Sequence, residues 1–339
     1  MATILGIEST CDETAAAVVV DGYDVKSNVV ATQIELHEKF RGVVPEIASR
    51  AHIENLLPVL KESLANAACG LASVDAISVA HRPGLIGSLL VGVTAAKTLA
   101  WSLGKPLIGV DHVQSHLYSV MLEKNVAPPM PAVGLVVSGG HTALYNVRSW
   151  TDIDLIGSTI DDAVGEAYDK VSAILGLGYP GGPVIDKLAE QGNAKAIQFP
   201  RTLLERDSLD FSFSGLKTAV LYHVRGVPGR NVRTDAPSEN EIHDIAASFQ
   251  AACIDVIVKK LKRALDQTGG KSVIIGGGVS ANRGFRRALE KFPVPVFFPP
   301  LRYCTDNAAM SAGLAHVYFE QKNFSPLNLD AITFSRFRE

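Results

Sequence analysis

The sequence predicts an α/β protein made of two similar lobes. Apolar runs of strand length alternate with stretches of helical periodicity along the chain, which is the pattern of this class. The 339 residues favour two domains, at about 150 residues per domain. A strand, a turn of small residues that ends in Thr, and a second strand occur twice, about 130 positions apart. This recurrence predicts that one structural unit is present twice.

The first copy opens the chain. Thr3–Ile7 and Ala15–Val20 are apolar and predict two strands joined by the polar turn Glu8–Thr14. Pro45–Ala67 predicts a helix, with its Pro in the first turn. Apolar residues recur at helical spacing in this helix and predict one buried face, formed by Ile53, Leu57, Leu60 and Leu64. The rest of this half predicts a strand at Ala76–Ala80 and a helix that begins at Leu85. A second strand at Leu107–Val110 and a helix that begins near Asp111 follow.

The second copy follows a proline-rich linker, Asn125–Pro131. Ala132–Val137 and Ala143–Val147 predict two strands on either side of the turn Ser138–Thr142. The sequence then predicts a loop-rich region at Gly176–Pro183 and a loop at Val224–Ser238. A long helix at Glu239–Asp266 and a strand at Ser272–Ile275 follow. A helix with Ser280 as its N-cap and a last helix at Thr305–Phe319 complete this half.

Composition limits the classes of function. The net charge is -3, with 47% hydrophobic and 20% charged residues, which excludes a disordered chain and the binding of nucleic acid by bulk positive charge. The four cysteines have no metal-ligand spacing and fit a reducing compartment. The first residues lack the marks of a secretory signal, and the most apolar stretch, Leu85–Trp101, is shorter than the roughly 20 residues of a membrane span. We therefore expect a buried helix there and a cytoplasmic protein without a membrane segment.

Three turns of small residues are candidate phosphate-binding loops. The first contains Ser9 and Thr10, the second is Ser138–His141, and the third is Gly276–Gly278, which follows an apolar strand. Backbone N–H groups at such turns can approach a phosphate because few Cβ atoms obstruct them. Each turn alone is as readily explained by a simple reversal of the chain, but the three together favour a nucleotide site. None has the Walker A pattern or the glycine pattern of dinucleotide-binding folds.

His112 and His116 are a candidate pair of metal ligands. Residues at i and i+4 lie on one face of a helix, where two imidazoles can hold one ion. Asp306 is the best candidate for a third ligand, and two imidazoles with one carboxylate suit Fe(II) or catalytic Zn. Two surface histidines on a helix are the alternative. Val113 stands where zinc peptidases of the His-Glu-x-x-His type have their catalytic Glu, which argues against peptidase activity.

Carboxylates accompany the turns in three clusters, at Asp12 and Glu13, at Asp161, Asp162 and Asp169, and at Asp186. The first pair lies in the first turn and supplies the candidate catalytic residues. A carboxylate near a phosphate usually acts through a cation or holds ribose hydroxyls. Asp161 and Asp162 fit helix capping and pairing with the helix dipole equally well. For Asp169 and Asp186 both kinds of role stay open.

A series of motifs runs in order along nearly the whole chain. They are Gly6–Thr14, Gly42–Glu46, Ala48–Arg50, the His112–His116 pair, Val137–Thr142, Asp161–Lys170, Tyr179–Pro183, Phe211–Thr218, Gly277–Arg283 and Cys304–Asn307. Together they resemble the TsaD family of tRNA threonylcarbamoyl transferases, in its bacterial form. The resemblance implies a two-lobed actin-like ATPase (ASKHA) fold, with duplicated mixed sheets flanked by helices and the nucleotide in the cleft between the lobes. It implies one lobe at 1–127, completed by a C-terminal helix within 306–339, and another at 128–305.

The resemblance also implies a reaction. The family transfers the threonylcarbamoyl group from threonylcarbamoyl-AMP to the N6 amine of the adenosine next to the anticodon, adenosine 37, in tRNAs that read ANN codons, and releases AMP. It implies one Fe(II) per chain on His112, His116 and Asp306, with Zn as the alternative metal. The family's substrate positions correspond to Val136, Val137, Ser138, Gly139, Gly140, Asp169, Gly182, Asp186 and Asn282. The turns add Ser9, Thr10, His141, Gly277 and Gly278 as candidate nucleotide-binding residues.

Partners are implied as well. They are tRNA, proteins of the TsaB and TsaE types, and a threonylcarbamoyl-AMP synthase that supplies the donor. The apolar helix Leu85–Trp101 suits a partner surface as well as it suits the core. Two positions depart from the family pattern: Arg82, where Gly is usual, and Gln114, where many members have Glu. An Arg side chain conflicts with a role that needs close backbone approach, whereas we expect metal binding to survive the change at Gln114.

Three other functions stay open on the sequence: a small-molecule kinase or ATPase of the same fold class, a metallopeptidase, and a scaffold that binds nucleotide without catalysis. Because the donor is an activated mixed anhydride, the transfer needs positioning and charge stabilisation but no covalent nucleophile. The sequence shows no Ser/His/Asp or Cys/His set that demands one.

Overall fold

Two five-stranded mixed sheets organise the chain. The computed structural model describes residues 1–40, 42–124, 126–202, 207–233 and 235–335. The strands in these residues are β1 (Thr3–Glu8), β2 (Glu13–Val20), β3 (Asp24–Thr32), β4 (Ala76–Arg82), β5 (Leu107–Asp111), β6 (Ala132–Val137), β7 (Thr142–Ser149), β8 (Asp152–Ser158), β9 (Ser272–Gly276) and β10 (Val296–Phe297). The α-helices are α1 (Ile34–Glu38), α2 (Pro45–Asn66), α3 (Ile86–Leu103), α4 (His112–Tyr118), α5 (Val164–Ile174), α6 (Gly181–Ala189), α7 (Ser214–Arg225), α8 (Glu239–Thr268), α9 (Arg283–Leu289) and α10 (Ala308–Glu320).

The chain divides into two compact units. The first comprises Met1–Ala127, Arg148–Ile153 and Phe298–Glu339, and the second Pro128–Val147 and Asp154–Phe297. The strand order is β3-β2-β1-β4-β5 in one sheet and β10-β9-β6-β7-β8 in the other. Read from its opposite edge, the second order is β8-β7-β6-β9-β10, which repeats the first. The predicted recurrence of one structural unit is therefore confirmed at the level of topology, while the lobe limits implied by the resemblance stay a prediction.

The pairing of strands brings the ends of three strands to one edge of the first sheet. β1 pairs antiparallel with β2 and parallel with β4, and β4 pairs parallel with β5. The second sheet repeats this pattern, because β6 pairs antiparallel with β7 and parallel with β9. Since parallel strands end at the same edge, the last residues of β1, β4 and β5 lie there: Glu8, Arg82 and Asp111.

Helices cover both faces of the first sheet. Side chains alternate along a strand, so Leu5 and Ile7 of β1 pack with α2 and α3, whereas Ile4 packs on the opposite face with α10. Gly6 allows α10 to approach closely, because a Cβ there would lie 2.6 Å from the carbonyl oxygen of Ala308. The core therefore leaves the strand ends, and not the sheet faces, for polar side chains.

The buried face of α2 differs from the predicted one. Ile53 and Leu57 are 66% and 65% exposed, so the prediction that they line the core is wrong. The helix buries His52 and Leu56 in their place. The prediction is confirmed for Leu60, which is buried, and Leu64 is partly buried against the same core. The helical period was predicted correctly. At the start of the helix, however, the buried face lies one residue earlier in the chain than expected, because His52 is buried where Ile53 was predicted to be.

Other elements also differ from expectation. Residues Gly278–Ala281 form a 3₁₀ turn, and α9 begins only at Arg283, so Ser280 does not cap it. Asn282 is the N-cap, and its Oδ1 accepts the Phe285 N–H at 2.7 Å. The last helix likewise begins after Thr305, at Ala308. β3, α1 and β8 were not predicted, α6 begins inside the predicted loop-rich region, and Asn125 of the predicted linker lies outside the described residues.

α3 is the one helix among the described residues that is long and apolar enough to cross a membrane by length and composition. In the structure one side of α3 lies in the core of the first unit, through Leu89, Val93 and Ala96. Lys97 donates to the Leu329 carbonyl at 3.1 Å. The predicted helix is present, but the expectation that it is buried holds for one face only, because the opposite face of α3 carries exposed apolar residues, including Trp101.

Candidate metal centre and phosphate-binding turns

The first unit places two histidines at the end of β5. Asp111 ends this strand and caps α4, since its Oδ1 accepts the N–H groups of Val113 at 3.0 Å and Gln114 at 3.2 Å. His112 and His116 lie one helical turn apart, with ring centroids 4.6 Å apart and planes at 80°. Both are buried, so the alternative of two surface histidines is wrong.

Asp306 faces both imidazoles. Its Oδ1 lies 3.1 Å from Nε2 of His116 and 3.5 Å from Nε2 of His112. One ligand atom from each of the three residues lies within 4.8 Å of the others. The structure thus brings together the three side chains that the sequence selected, although 190 residues separate the second histidine from the aspartate. Two imidazole nitrogens and one carboxylate form a donor set that fits Fe(II) or Zn and leaves coordination positions open.

Glu8 orients the first imidazole. This carboxylate is fully buried at the end of β1, and its Oε2 lies 3.2 Å from Nδ1 of His112. Ser311 donates to the same oxygen at 3.2 Å, and the Thr10 N–H donates to Oε1 at 2.9 Å. With Nδ1 donating to Glu8, the neutral form of His112 that a metal would bind presents the lone pair of Nε2 on the side of Asp306. A carboxylate behind a histidine ligand is the usual support of a metal site, and the residues therefore fit a metal.

Charges in this cluster favour a cation between the imidazoles and Asp306. Burial disfavours a charged imidazole, but the charges of Glu8 and Asp306 outweigh it and raise the pKa of His112 well above its usual range. Burial also disfavours the ionised carboxyl, yet His112 and His116 hold the pKa of Asp306 well below its usual range. The site is thus built for positive charge at the point where a divalent ion would sit.

The acidic pair of the first turn lies close to this cluster. Burial, followed by the charges of Asp306 and Asp12, raises the pKa of Glu13 to about 10. Thr32 donates to Oε1 of Glu13 at 3.2 Å. At neutral pH Glu13 is therefore protonated, unless a neighbouring cation offsets these charges, and it can donate a hydrogen bond. Its part as a catalytic residue, like that of Asp12, stays a prediction.

Buried hydroxyl groups stabilise the first turn, which contains Ser9 and Thr10. Ser9 is fully buried, its hydroxyl donates to the Ser88 carbonyl at 2.9 Å, and it accepts the Gly92 N–H at 3.2 Å. Thr10 is buried too, with its hydroxyl 3.2 Å from Nδ1 of His112. Both hydroxyls are occupied by the protein, so these residues support the turn and the metal centre. Their predicted contact with nucleotide stays a prediction.

His52, which lies on α2, supports this turn and was missed in the sequence analysis. Its Nε2 lies 3.0 Å from the Cys11 carbonyl, and its Nδ1 lies 2.8 Å from the Thr14 hydroxyl. A carbonyl only accepts, so Nε2 carries the proton and Nδ1 accepts from Thr14. Burial lowers the pKa of His52, which keeps this neutral form. The only signal in the sequence was a histidine at a core position of the helix.

The second unit presents its glycine turn in the open. The Ser138 N–H donates to the His141 carbonyl at 2.8 Å, which closes the turn. Gly139 and Gly140 are exposed, and a Cβ at either would meet nothing within 4 Å. The side chains of the preceding residues, Val136 and Val137, are fully buried in β6, so only their backbone can contact a ligand. The turn can therefore offer N–H groups to an anion.

Two further loops meet this turn within the second unit. A Cβ on Gly165 would lie 2.5 Å from the Ser138 carbonyl oxygen, and one on Gly277 would lie 2.4 Å from that of Val137. Gly277 also has φ +89, a conformation that only glycine adopts readily. Gly277 of the third glycine cluster thus lies against the end of β6. That these loops share a nucleotide site stays a prediction.

The remaining predicted residues of this unit form two small hydrogen-bonded groups. Asp169 accepts the Gly181 N–H at 2.7 Å, next to Gly182, and burial raises the pKa of this carboxyl. Asp186 accepts from Gln250 at 3.0 Å, and Asn282 donates to the same Gln250 at 2.7 Å. Gln250 links two predicted residues and was missed, because a glutamine inside a long amphipathic helix has no distinctive pattern.

Asp161 and Asp162 have structural partners. Asp161 accepts the Phe213 N–H at 2.8 Å near the start of α7, and Asp162 lies 2.7 Å from Lys170 and 2.8 Å from Lys217. The expected capping of the next helix in the chain, α5, is wrong, because Ala163 is its N-cap and no side chain caps it. Asp161 instead serves the start of α7, and Asp162 pairs with lysines and not with a helix dipole.

Comparisons with known proteins agree with this arrangement. The family model described as "tRNA N6-adenosine threonylcarbamoyltransferase" (TsaD) matches residues 24–313. A protein of that name from Moorella thermoacetica is 52% identical over 336 residues, covering 97% of this chain and 95% of the relative. Another from Bacillus licheniformis is 50% identical over 323 residues, covering 94% and 92%.

The chain belongs to the TsaD family.

Solved structures show the fold of this TsaD chain. HypF of T. kodakarensis superimposes with a TM-score of 0.62 at 15% identity, over 94% of this chain and 48% of that one. Component A of the (R)-2-hydroxyglutaryl-CoA dehydratase of Acidaminococcus fermentans gives 0.52 at 16% identity, over 95% and 99%. These likenesses, with the repeated mixed sheets, confirm the predicted actin-like ATPase class of fold.

The two departures from the TsaD pattern have structural partners. Gln114 is fully buried, its amide oxygen accepts the Tyr318 hydroxyl at 3.0 Å, and its amide nitrogen donates to the Trp150 carbonyl. It does not face the metal cluster. Arg82 points its Nε to within 3.7 Å of Asp111 Oδ2. Neither departure removes a candidate ligand.

The contact of Gly277 with β6 makes a first prediction. Gly277→Ala adds a Cβ against a backbone carbonyl at a φ that only glycine tolerates, so we expect a loss of about 2–4 kcal/mol in the free energy of unfolding. Gly269→Ala is the control, because Gly269 also has positive φ (+67) but meets nothing within 4 Å, and it should cost only about 1 kcal/mol. Urea denaturation measures both, and equal losses would contradict the close contact.

Proposed function

We propose that this chain transfers the threonylcarbamoyl group from threonylcarbamoyl-AMP to the N6 amine of adenosine 37 in tRNAs that read ANN codons. The observation that carries the proposal is its 52% identity, over nearly the full length of both chains, to a relative named for this activity. The clustered His112, His116 and Asp306 support it, because a metal donor set of this kind distinguishes it from a kinase or ATPase of the same fold. The reaction class is acyl transfer.

The residues of this chain divide the work. We assign the phosphate of the AMP moiety to the backbone N–H groups of the exposed Gly139 and Gly140, because those of Ser138 and His141 already donate within the turn. We assign the ribose hydroxyls to Asp169 and Asp186, and Asn282 supports Asp186 through Gln250. A metal held by the three ligands, which we take to be iron, with zinc as the alternative, would supply Lewis acidity for the carbamoyl carbonyl or an anchor for the donor.

The transfer proceeds in one displacement. The adenosine amine attacks the carbamoyl carbon, a C–N bond forms, and the C–O bond to the phosphate breaks, so that AMP leaves and the amine loses a proton. No covalent enzyme intermediate is needed. Cys11 lies close enough to the centre to sense the charge of Asp306, and burial, followed by the charge of Asp12, raises the pKa of this thiol far above neutrality. Cys11 is therefore a poor nucleophile.

Two rival functions have less support. The first is a small-molecule kinase or ATPase of the same fold class, and the fold likeness to HypF and to the dehydratase component does not support it, because a fold shows architecture and not activity. A metallopeptidase of the His-Glu-x-x-His type needs a Glu where this chain has the buried Val113. We further propose that the chain acts in the cytoplasm, and that a separate synthase supplies the donor.

The function is tested by reconstitution. Wild-type chain, TsaB-type and TsaE-type partners, donor synthase and an unmodified tRNA are incubated with ATP, threonine and bicarbonate, and the tRNA nucleosides are analysed by mass spectrometry. We expect threonylcarbamoyladenosine with wild type and at least a 100-fold loss with His112→Ala or Asp306→Ala, since each removes a ligand. His243→Ala, which changes an imidazole on α8, is the control and should be fully active. Full activity of both ligand variants would refute the metal role, and no product with wild type would refute the function.

An apolar surface of the first unit suits a protein partner. Ile53 and Leu57 on α2 are exposed, as are Ile86 and Leu90 on α3. The two helices touch beside these residues, because a Cβ on Gly87 would lie 2.4 Å from the Ser49 hydroxyl. We name this surface the α2–α3 patch, and we propose that a TsaB-type protein covers it. Contiguous exposed apolar side chains of this kind mark an interaction site.

The α2–α3 patch makes a separate prediction. Leu57→Glu places a charge in the patch and should weaken the complex with the TsaB-type protein by about 30-fold or more. Leu301→Glu is a matched control, since Leu57 and Leu301 are both 65% exposed and Leu301 lies outside the patch. Isothermal titration calorimetry measures both affinities. Wild-type affinity of the Leu57 variant, or loss of self-association of this chain instead, would contradict the assignment of the partner.

A further inference from the structure

Asp111 joins three segments of the first unit. It is 2% exposed at the junction of β5 and α4, and its Oδ1 caps the helix that carries His112 and His116. A buried carboxylate must be stabilised by donors on every side, because its desolvation is costly. The two N–H groups of α4 stabilise only one of the two oxygens.

The second oxygen, Oδ2, faces two other segments. The hydroxyl of Ser335, 7% exposed in the C-terminal segment, donates to it at 2.9 Å. The Nε of Arg82, at the end of β4, lies 3.7 Å away. One carboxylate thus contacts the metal-binding helix, a strand end and the C-terminal segment.

The segment that carries Ser335 is fastened along its length to the first unit. We call residues 323–335 the C-terminal strap. It begins beside β5, where the Ser325 N–H donates to the Leu107 carbonyl at 2.7 Å and the Gly109 N–H donates to the Ser325 hydroxyl at 2.9 Å. Further on, Ile332 donates its N–H to the His81 carbonyl at 3.0 Å. The strap therefore delivers Ser335 to a defined place.

The consequence concerns a short helix. α4 has only seven residues, with one ligand at its first position and the other at its fifth. A helix of this length has little stability of its own, so its direction depends on its cap and its packing. If the carboxylate of Asp111 turned, the first turn of α4 would lose its acceptor and both imidazoles would shift.

We propose that Ser335 of the C-terminal strap and Arg82 are positioning residues for the metal centre, which act by fixing the rotamer of Asp111. This chain has Arg82 where Gly is usual in the family. The side chain of Arg82 lies beside the buried carboxylate of Asp111, which is not one of the candidate metal ligands. The inference rests on the metal site and not on the transfer reaction, so a failure of tRNA modification leaves it standing.

The test measures metal affinity in the full chain. Metal is removed with a chelator, and Co²⁺ is titrated while its visible absorption is followed. We expect one Co²⁺ per wild-type chain, about tenfold weaker binding by Ser335→Ala, and a similar loss with Arg82→Gly, as is usual when a support of a ligand is removed. Ser335→Thr keeps the hydroxyl and should stay within about threefold of wild type. Ser102→Ala, at an exposed serine of α3, is the control and should match wild type.

A double-mutant cycle separates positioning from general loosening of the strap. In an Asp111→Asn background, Ser335→Ala should change Co²⁺ affinity less than twofold, because its effect passes through Asp111. The melting temperature of each variant shows that it is folded. Wild-type affinity of Ser335→Ala, an equal loss in the Asp111→Asn background, or no Co²⁺ binding by wild type would overturn the proposal.

Discussion

The burial of carboxylates at the ends of parallel strands is the constraint on which the first unit depends. Glu8 ends β1 and Asp111 ends β5, and both are almost fully withdrawn from solvent. Neither charge can remain there without donors, because desolvation of an ion is costly. The donors to Glu8 are His112, Thr10 and Ser311, and those to Asp111 are the first turn of α4 and the hydroxyl of Ser335. The orientation of the candidate ligands follows from satisfying these two anions.

The second unit uses the same topology for a different chemistry. Its hairpin β6–β7 corresponds to β1–β2, but its turn is open and rich in glycine where the first is closed by buried hydroxyls. Phosphate recognition by backbone N–H groups needs such openness, whereas a metal site needs fixed side chains. Duplication of one unit thus accounts for the architecture, and divergence of the two turns agrees with the different roles that we propose for them.

The sequence predicted the α/β class, the recurrence and the His112–His116 pair, because strand periodicity and helical spacing are local signals. Asp306 was selected by its Cys304–Asn307 motif and by the family resemblance, and not by spacing. It did not predict the buried face of α2, since two exposed apolar residues on that helix have the same spacing as core residues. Glu8 and Gln250 were missed for another reason. Their roles arise from partners about 100 and 32 residues away in the chain, and no local pattern encodes such distances.

We propose that this chain holds one transition-metal ion on two imidazoles and a carboxylate, those of His112, His116 and Asp306. X-ray absorption spectroscopy of the full chain, reconstituted with Fe(II) without oxygen and freed of loosely bound metal, tests it most directly. The account predicts one iron per chain and a spectrum with two imidazole ligands, further oxygen ligands and no sulfur. Iron well below one per chain, or a sulfur ligand from a cysteine, would contradict it.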